Sequence, residues 1–315
     1  MERNKADLAE AKIGVVGAGG VGGYLAAMLA DAYPHVTVVA RGKRGEAIRK
    51  QGLVLHSEHR DEKVSRPEAV AESAGELSNQ DIIFICVKNY SLEEVCRELK
   101  DCVTEDTVLV PVMNGADPGD RVRQIMGKGI VVDSLIYIVA FAGKDYSITQ
   151  QGDFADIRVG TAASGQKEQE AVEFVCTLLQ GARVDCRAAK DIEREIWRKY
   201  ILNCAYNVET AYYDNTIGQL REDQKKHQEY IDLVEEAWQV AVAKGVHVTR
   251  AHADAIIRRF EYELADNATS SLQRDIRDGK TNELDTFCGY LIREAGRLGV
   301  DVPVTRKMYQ GLLGK

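Results

Sequence analysis

A surplus of positive charge is absent from this sequence. Its 315 residues include 41 lysines and arginines against 49 aspartates and glutamates, which gives a net charge of −8. A chain that binds a phosphate backbone needs a positive excess, so we do not expect a nucleic-acid partner. Long apolar runs are absent as well, since no window approaches the roughly 18 uninterrupted apolar residues of a membrane span. We therefore expect no membrane partner.

The N-terminal segment MERNKADLAEAK lacks an apolar stretch of the length found in signal peptides. The chain contains seven cysteines, an odd number without a C-x-x-C pair, and most of them lie in apolar runs such as IIFICV. Buried, reduced thiols are the expected state, and such thiols are typical of proteins in a reducing compartment. The sequence therefore predicts a cytoplasmic protein.

A recognisable set of metal ligands is also missing. His56 and His59 are separated by two residues, but two histidines do not make a site, because metal sites need three or four converging ligands. We predict no metal site.

Short apolar runs alternate with amphipathic stretches through the first half of the chain, a pattern typical of parallel strands connected by helices. The runs KIGVV, HVTVV, QDIIFICV and DTVLVPV are examples, and GIVVDSLIYIVAFAG and FADIRVG are also rich in β-forming residues. The pattern predicts an α/β domain over residues 1–189, with about seven strands and a parallel sheet.

The second half of the chain has a different composition. From about residue 190 glycine becomes sparse, and proline occurs only at position 303. Long stretches have the 3.6-residue period of amphipathic helices, and they cover residues 191–212, 222–244, 249–265 and 281–299. We therefore predict an all-helical second domain over residues 190–315.

A glycine-rich stretch directly follows the first predicted strand. In GVVGAGGVGG, three glycines have the spacing G-x-G-x-x-G between the strand KIGVV and a predicted helix. Such glycines allow a tight turn, leave room for a pyrophosphate and let the helix pack closely, while the helix N-terminus faces the anion. This context favours a dinucleotide site over a glycine-rich connector in a non-binding domain. The predicted cofactor contacts are Gly17, Ala18, Gly19, Gly20, Val21 and Gly22.

The end of the second predicted strand indicates which nicotinamide cofactor binds. An NAD site has an acidic residue there, about 20 residues after the glycines, to bind the ribose 2′-hydroxyl. VTVVARGKR instead ends in Arg41, followed by Lys43 and Arg44. Cationic groups pair with a 2′-phosphate, so NADP is favoured over NAD. The alternative is that these are solvated basic residues of a loop.

One predicted helix carries polar residues in otherwise apolar surroundings. In WRKYILNCAYNVET, Lys199, Asn203 and Asn207 are four residues apart, and on a helix they occupy a strip only about 80° wide. The remaining circumference is largely apolar, which indicates a buried helix. Because an unpaired buried ammonium group is costly, the strip must line either a hydrogen-bonded core or a wet cavity.

The lysine suggests a chemical role for this strip. A lysine partly withdrawn from water has a lowered pKa and can act as a general acid. The reduction of a ketone places negative charge on its oxygen, which such a group can protonate. Asn203 and Asn207 could hold the carboxylate or hydroxyls of a small substrate. The alternative is that these amides only form hydrogen bonds that tie helix ends together. The strip and the nucleotide loop together favour a reductase.

Several motifs resemble those of the ketopantoate reductase (2-dehydropantoate 2-reductase) family over nearly the whole chain. They are GAGGVGG, VKNY at 87–90, NG at 114–115, WRKYILNCAYN at 197–207 and SSLQRDIRDGKTNELD at 270–285. The resemblance implies a Rossmann-type N-terminal domain and a helical C-terminal domain like that of 6-phosphogluconate dehydrogenase. It also implies NADPH-dependent reduction of ketopantoate to pantoate, a step towards pantothenate and coenzyme A.

The resemblance also implies roles for individual residues. Lys199 matches the family's catalytic lysine, and Glu283 matches its other catalytic-site carboxylate. Asn203, Asn207 and Ser271 match substrate-binding residues. The resemblance places further residues near the cofactor: Asn114 between nicotinamide and substrate, Lys88, Arg41 at the 2′-phosphate, and Ala140 in a loosely aligned segment.

Each of these positions also has a purely structural interpretation. Asn114 and Gly115 form a common turn dipeptide. Ser270 and Ser271 could cap a helix, and Glu283 could be a surface acid.

The sequence departs from the family at two positions. Some members carry a further substrate asparagine ten residues after the second helical one, where this chain has Ile217, with Asn215 nearby. Val208 stands where proline is often found. A reductase of another small 2-oxo or hydroxy acid is therefore an alternative, and a non-catalytic NADP-sensing protein is a second one. The sequence leaves the oligomeric state open, and a homodimer is one alternative.

Overall fold

The computed structural model describes residues 8–58 and 62–314, which form two compact units with a boundary between Ile192 and Glu193. The first unit is α/β and the second is helical, so the predicted fold class is confirmed. In chain order the strands are β1 (Ile13–Val16), β2 (Val36–Val39), β3 (Leu53–Ser57), β4 (Lys63–Ser65), β5 (Ala69–Ala71), β6 (Ile82–Ile85), β7 (Val108–Pro111), β8 (Ile130–Val131), β9 (Asp133–Ala142), β10 (Ile148–Gly160) and β11 (Asp185–Ala188).

The first sheet contains six strands in the order β5-β2-β1-β6-β7-β8, and all neighbouring strands are parallel. Its central strands are runs of β-branched and other apolar residues that are buried along their whole length, as expected for a parallel sheet covered on both faces. The helices of this unit are α1 (Gly20–Ala32), α2 (Gly42–Gln51), α3 (Leu92–Leu99), α4 (Pro118–Met126) and α5 (Gln166–Gly181).

Side chains of the central strands alternate between two cores. Val15 of β1 belongs to one core together with Leu25 of α1. The next residue, Val16, belongs to the other core together with Leu92 and Val95 of α3. This alternation follows from the two-residue period of a strand, and it places α1 and α3 on opposite faces of the sheet.

A second sheet in this unit has the order β11-β10-β3-β4, and β9 pairs with β10 in an antiparallel arrangement. The sequence predicted about seven strands in this domain, and this number was too low. The strands that were missed, β3, β4, β5 and β11, have the sequences LVLHS, KVS, AVA and DCRA. They are too short or too polar to give a clear apolar run.

The strand order creates a switch point beside β1. The chain passes from β1 to β2 on one side, and later places β6 on the other side. Ligands of open parallel sheets bind outside the carboxyl ends of the strands at such a point. The loops that follow β1, β2, β6 and β7 all lie at this edge, and they carry the residues predicted to contact the cofactor, except Ala140 of β9.

The second unit consists of helices: α6 (Ile192–Tyr213), α7 (Ile217–Glu222), α8 (Gln224–Lys244), α9 (Arg250–Tyr262), α10 (Ser271–Arg277), α11 (Tyr290–Leu298) and α12 (Pro303–Leu312). A π-helical turn, Asp285–Gly289, precedes α11. Helices α7, α10 and α12, of six, seven and ten residues, lie outside the stretches predicted to be helical. No helix of the described residues is long and apolar enough to span a bilayer.

Candidate functional site

The glycine loop after β1 has a conformation that other residues could not adopt. Gly17 has a φ of +95°, and a Cβ added there would lie 2.8 Å from the carbonyl oxygen of Cys86. A Cβ at Gly22 would lie 1.8 Å from the carbonyl oxygen of Gly17, because α1 packs directly on the strand end. At Gly19, by contrast, a Cβ would meet no heavy atom within 4 Å. The loop is thus tight where it packs and open where a pyrophosphate would approach.

Helix α1 presents its N-terminus at this loop. It begins at Gly20, and its N-cap residue, Gly19, has no side chain to accept hydrogen bonds from the first turn, which also contains no acidic residue. The first N–H groups of a helix have no partner within the helix, and they carry partial positive charge. The segment from Ala18 to Val21 therefore offers backbone donors to an anion.

Ala140 lies directly against this loop. A Cβ at Gly20 would be 2.3 Å from the carbonyl oxygen of Ala140 and 2.9 Å from the Cα atom of Phe141. Strand β9 of the second sheet thus borders the start of α1, and this long-range contact explains why Gly20 must be glycine. The structure brings Ala140 to the nucleotide loop even though 120 positions separate it from Gly20.

Arg44 has a position that sequence reasoning did not predict. Its guanidinium donates to the carbonyl oxygen of Ala18 at 2.9 Å and lies 5.3 Å from the centre of the Tyr146 ring. Burial lowers the pKa of Arg44. Its side chain thus ties α2 to the glycine loop, whereas the sequence had grouped it with Arg41 as a candidate for the 2′-phosphate.

Arg41 follows β2 and is the N-cap residue of α2, at the carboxyl edge of the sheet. Its guanidinium contacts two carboxylates of α3, those of Glu94 at 3.1 Å and Glu98 at 2.9 Å. A third carboxylate, that of Glu72, follows the neighbouring strand β5 and accepts from the backbone N–H of Gly42 at 2.9 Å, which lowers the pKa of Glu72. The sequence predicted the cation at Arg41, but it did not predict that these acidic residues would lie beside it.

The loops after β6 and β7 are joined by hydrogen bonds. Asn89 is buried, and its side-chain amide donates to the carbonyl oxygen of Asn114 at 2.6 Å. Arg121 donates to the side-chain oxygen of Asn89 at 3.2 Å. Gly115, with a φ of +114°, completes the turn. Lys88 is half-buried and directly precedes Asn89, so the two predicted residues Lys88 and Asn114 lie on connected loops. The supporting roles of Asn89 and Arg121 were not predicted.

In the second unit, three predicted polar residues form one hydrogen-bonded line. The amide nitrogen of Asn207 lies 3.4 Å from the side-chain oxygen of Asn203, one turn earlier on α6. The side-chain oxygen of Asn207 accepts from the hydroxyl of Ser271 at 3.2 Å and from the backbone N–H of Leu272 at 3.3 Å. The helical strip predicted from sequence thus continues onto the first turn of α10.

The adjacent serines at the start of α10 have separate roles. Ser270 is fully buried and caps the helix, since its hydroxyl accepts from the N–H of Gln273 at 3.1 Å. The hydroxyl of Thr210 on α6 donates to Ser270 at 2.7 Å. The structural interpretation of the pair therefore applies to Ser270, and Ser271 is the residue that contacts the asparagine strip.

Lys199 lies one turn before Asn203 on α6 and is half-buried. Burial lowers the pKa of Lys199 to about 8, and the negative charge of Glu283 acts in the opposite direction. Glu283 is itself buried, so the sequence alternative of a surface acid does not apply. At this pKa a lysine can both hold and release a proton near neutral pH.

The position of Glu283 depends on the π-helical turn. The N–H groups of Thr286 and Phe287 bond to the carbonyl oxygen of Glu283. The hydroxyl of Tyr200 on α6 donates to the carbonyl oxygen of Thr286 at 2.9 Å. The thiol of Cys204 donates to the carbonyl oxygen of Phe287 at 3.3 Å. Side chains of α6 thus satisfy carbonyls of this irregular turn, which fixes Glu283 relative to Lys199. Such π-turns are common at functional sites.

Ile217, the first predicted departure from the family resemblance, is fully buried at the start of α7. The nearby Asn215 is also engaged, since its side-chain oxygen accepts from Lys226 at 2.8 Å. Among the histidines singled out above, His56 contacts Glu62 at 2.9 Å, and His59 lies outside the described residues. Within the described part of the chain, no group of three or more potential ligands could hold a metal ion.

Two models of protein families match this chain. The family model described as "Ketopantoate reductase PanE/ApbA" matches residues 13–164, and "Ketopantoate reductase PanE/ApbA C terminal" matches residues 191–315. An uncharacterised oxidoreductase of Bacillus subtilis, YkpB, is 29% identical over 306 residues, which are 95% of this chain and 96% of that protein.

Two solved structures are also similar. The 2-dehydropantoate 2-reductase of Porphyromonas gingivalis W83 is 28% identical, with a TM-score of 0.80 over 96% of this chain and 99% of that one. A D-mandelate dehydrogenase solved with NADH and anilino(oxo)acetate shares the fold, with a TM-score of 0.85, 18% identity and coverage of 96% and 97%. The chain belongs to the PanE/ApbA ketopantoate reductase family, whose members are oxidoreductases that act on CH–OH groups.

Proposed function

We propose that this protein catalyses the NADPH-dependent reduction of 2-dehydropantoate to pantoate. The observation that carries the proposal is Lys199, a half-buried lysine with a pKa of about 8 beside the buried carboxylate of Glu283. It shares one helical strip with Asn203 and Asn207, which lead to Ser271. Membership of the family supports the reaction type.

The residues of the first unit fit a dinucleotide cofactor. The open position at Gly19 and the N-terminus of α1 suit a pyrophosphate. Arg41 would hold the 2′-phosphate, and Lys88, Asn114 and Ala140 would complete the cofactor site. NADPH, when bound, supplies a hydride to the carbonyl carbon of the substrate. All other chemistry in the proposal belongs to side chains of this protein.

Lys199 supplies the proton that the reduced oxygen requires. Its ammonium form predominates at pH 7, because the pKa is about 8, yet this pKa is low enough for efficient proton donation. The amides of Asn203 and Asn207 and the hydroxyl of Ser271 bind the carboxylate and hydroxyl groups of the substrate. Glu283 orients Lys199 or accepts a hydrogen bond from a substrate hydroxyl.

All seven cysteines are free, which supports a reducing location such as the cytoplasm.

Replacement of the lysine tests this proposal. Lys199→Ala should lower kcat by on the order of a hundredfold or more, because general acid catalysis typically contributes that much. NADPH binding should be unchanged. The assay follows NADPH absorbance with 2-dehydropantoate as substrate, and binding is measured separately by fluorescence. Lys225→Ala, at an exposed position of α8, is the control. Turnover near that of the control would contradict the assignment.

A second candidate is the reduction of a different small 2-oxo acid. The observation that favours it is Ile217, whose side chain is buried in the helical core and cannot replace the substrate asparagine of some family members. A panel of 2-oxo acids with different branching, assayed with NADPH and with NADH, separates the two candidates. A kcat/KM for 2-dehydropantoate well below that for another acid would establish the second one.

A further inference from the structure

Arg41 is paired with two carboxylates. One terminal nitrogen of its guanidinium lies 3.1 Å from a carboxylate oxygen of Glu94, and the other lies 2.9 Å from one of Glu98. Both acids are on α3, so a single helix places two negative charges against the cation. A 2′-phosphate bound to Arg41 would have to share its donors with these two groups.

The two acids differ in how firmly they are fixed. The second oxygen of Glu98 accepts from the hydroxyl of Ser73 at 2.9 Å and from the backbone N–H of Ala74 at 2.8 Å. The Glu98 side chain is 25% exposed, and it links Arg41 to a capped turn of the backbone. Glu94 is 59% exposed. Glu98 therefore anchors Arg41, and Glu94 mainly adds negative charge beside it.

We infer that Glu94 limits the preference of this protein for NADPH over NADH, and this inference rests on the proposed function. A phosphate group carries about −1.5 to −2 charges near pH 7. The carboxylate of Glu94 repels that charge and occupies a donor of Arg41, which opposes the attraction that Arg41 provides. A ribose 2′-hydroxyl is uncharged, so NADH binding is not penalised in this way. The preference for NADPH that Arg41 provides is consequently smaller than it would be without Glu94.

The neighbouring residue Glu93 offers a matched control. It lies on the same helix with nearly the same exposure, 61%, but its carboxylate pairs with Arg97 at 2.9 Å instead of Arg41. Glu94→Gln and Glu93→Gln each remove one negative charge from α3 and keep the side-chain shape. Only the first of these changes alters the direct surroundings of Arg41.

The test is direct binding of NADPH and of NADH to the full chain, measured by nucleotide fluorescence or calorimetry. Glu94→Gln should lower the Kd for NADPH by roughly fivefold, a modest factor because exposed charge interactions are weak, and should leave that for NADH unchanged. The gain should shrink at high ionic strength, because salt screens charges that are exposed. Glu93→Gln should leave the ratio of the two Kd values close to that of the wild type.

Two results would overturn the inference while the proposed function stands. One is a Glu94→Gln variant whose Kd for NADPH is no lower than that of the wild type. The other is a Glu94→Gln variant whose Kd ratio equals that of Glu93→Gln. A wild type that binds neither nucleotide would overturn both the inference and the proposed function.

Discussion

Lys199 holds its proton less tightly than an exposed lysine does, because the interior of the helical unit solvates its charge poorly. Burial lowers its pKa to about 8, and the carboxylate of Glu283 partly offsets that effect. The two opposing influences come from different parts of the chain, α6 and the segment before the π-helical turn. The proton affinity of the proposed acid is therefore set mainly by burial, and a long-range contact with Glu283 partly restores it.

This balance predicts the pH dependence of the reaction. If Lys199 is the acid, kcat for reduction should fall as the pH rises through about 8, since the ammonium form is lost. Glu283→Gln removes the charge that raises this pKa, so the fall should begin at a lower pH. The kcat–pH profile of each protein measures the midpoint. Glu222→Gln, an exposed acid at the end of α7, should keep the wild-type midpoint, and an unshifted midpoint in Glu283→Gln would refute the coupling.

Local spacing predicted some residues of the site and missed others for a physical reason. The line of Lys199, Asn203 and Asn207 follows from helix geometry alone, because residues four apart share a face. The pairing of Arg41 with Glu94 and Glu98 connects residues more than 50 positions apart. No periodicity within a window reports such a contact, so the acidic surrounding of Arg41 became visible only in the folded chain.

Short elements determine much of the geometry at the scale of helices and strands. Helix α10 has only seven residues, so its stability depends on its capping and tertiary contacts more than on propensity. Ser270 caps it and also accepts a hydrogen bond from Thr210 of α6. Ser271, the next residue, points its hydroxyl to Asn207. Ser270 therefore stabilises the fold, whereas the adjacent Ser271 has the proposed role in substrate binding.

Alanine substitutions should separate these roles. Ser270→Ala removes the cap and should lower the free energy of unfolding by about 1 kcal/mol or more. Ser271→Ala should change that free energy by less than about 0.5 kcal/mol but raise KM by about threefold to tenfold, the value of one hydrogen bond. Urea unfolding and steady-state kinetics measure the two effects. A larger loss of stability in Ser271→Ala than in Ser270→Ala would reverse the assignment.

The longest and most regular elements were the ones predicted best. Helix α6 spans 192–213 against a predicted 191–212, and α8 spans 224–244 against 222–244. The second sheet was not predicted as a separate sheet, because β9 and β10 were expected as strands but their partners β3, β4 and β11 are too short or too polar to be recognised. Its position matters for the nucleotide loop, since β9 brings Ala140 against Gly20. Tertiary pairing, which a single window does not contain, decides such strands.

At the scale of the whole molecule, the second unit contains a buried acid that the proposed mechanism does not use. Glu209 lies on α6, about 80° around the helix from Lys199 and away from Asn203. It is fully buried, and neither of its carboxylate oxygens has a hydrogen-bond partner among the described residues. Burial raises the pKa of Glu209 to about 9, and the charge of Glu229 adds to this effect. The folded protein therefore carries Glu209 in its neutral form at pH 7.

This acid makes the global stability depend on pH. In the unfolded chain Glu209 ionises near pH 4.5, whereas in the folded chain it ionises near pH 9. Between these values the folded state binds one more proton than the unfolded state, so this group stabilises the fold fully only below about pH 4.5. Its contribution is lost as the pH rises towards 9, at an upper limit of about 1.4 kcal/mol per pH unit.

Glu209→Gln removes this titration without changing the size of the side chain. The variant should be more stable than the wild type at pH 8.5, and the difference should become smaller at pH 6, because less of the penalty has accumulated there. Urea unfolding at the two pH values measures the difference. Glu222→Gln, whose carboxylate is exposed, should show no such trend. A Glu209→Gln variant whose stability relative to the wild type is the same at both pH values would show that Glu209 does not ionise differently in the folded and unfolded chains.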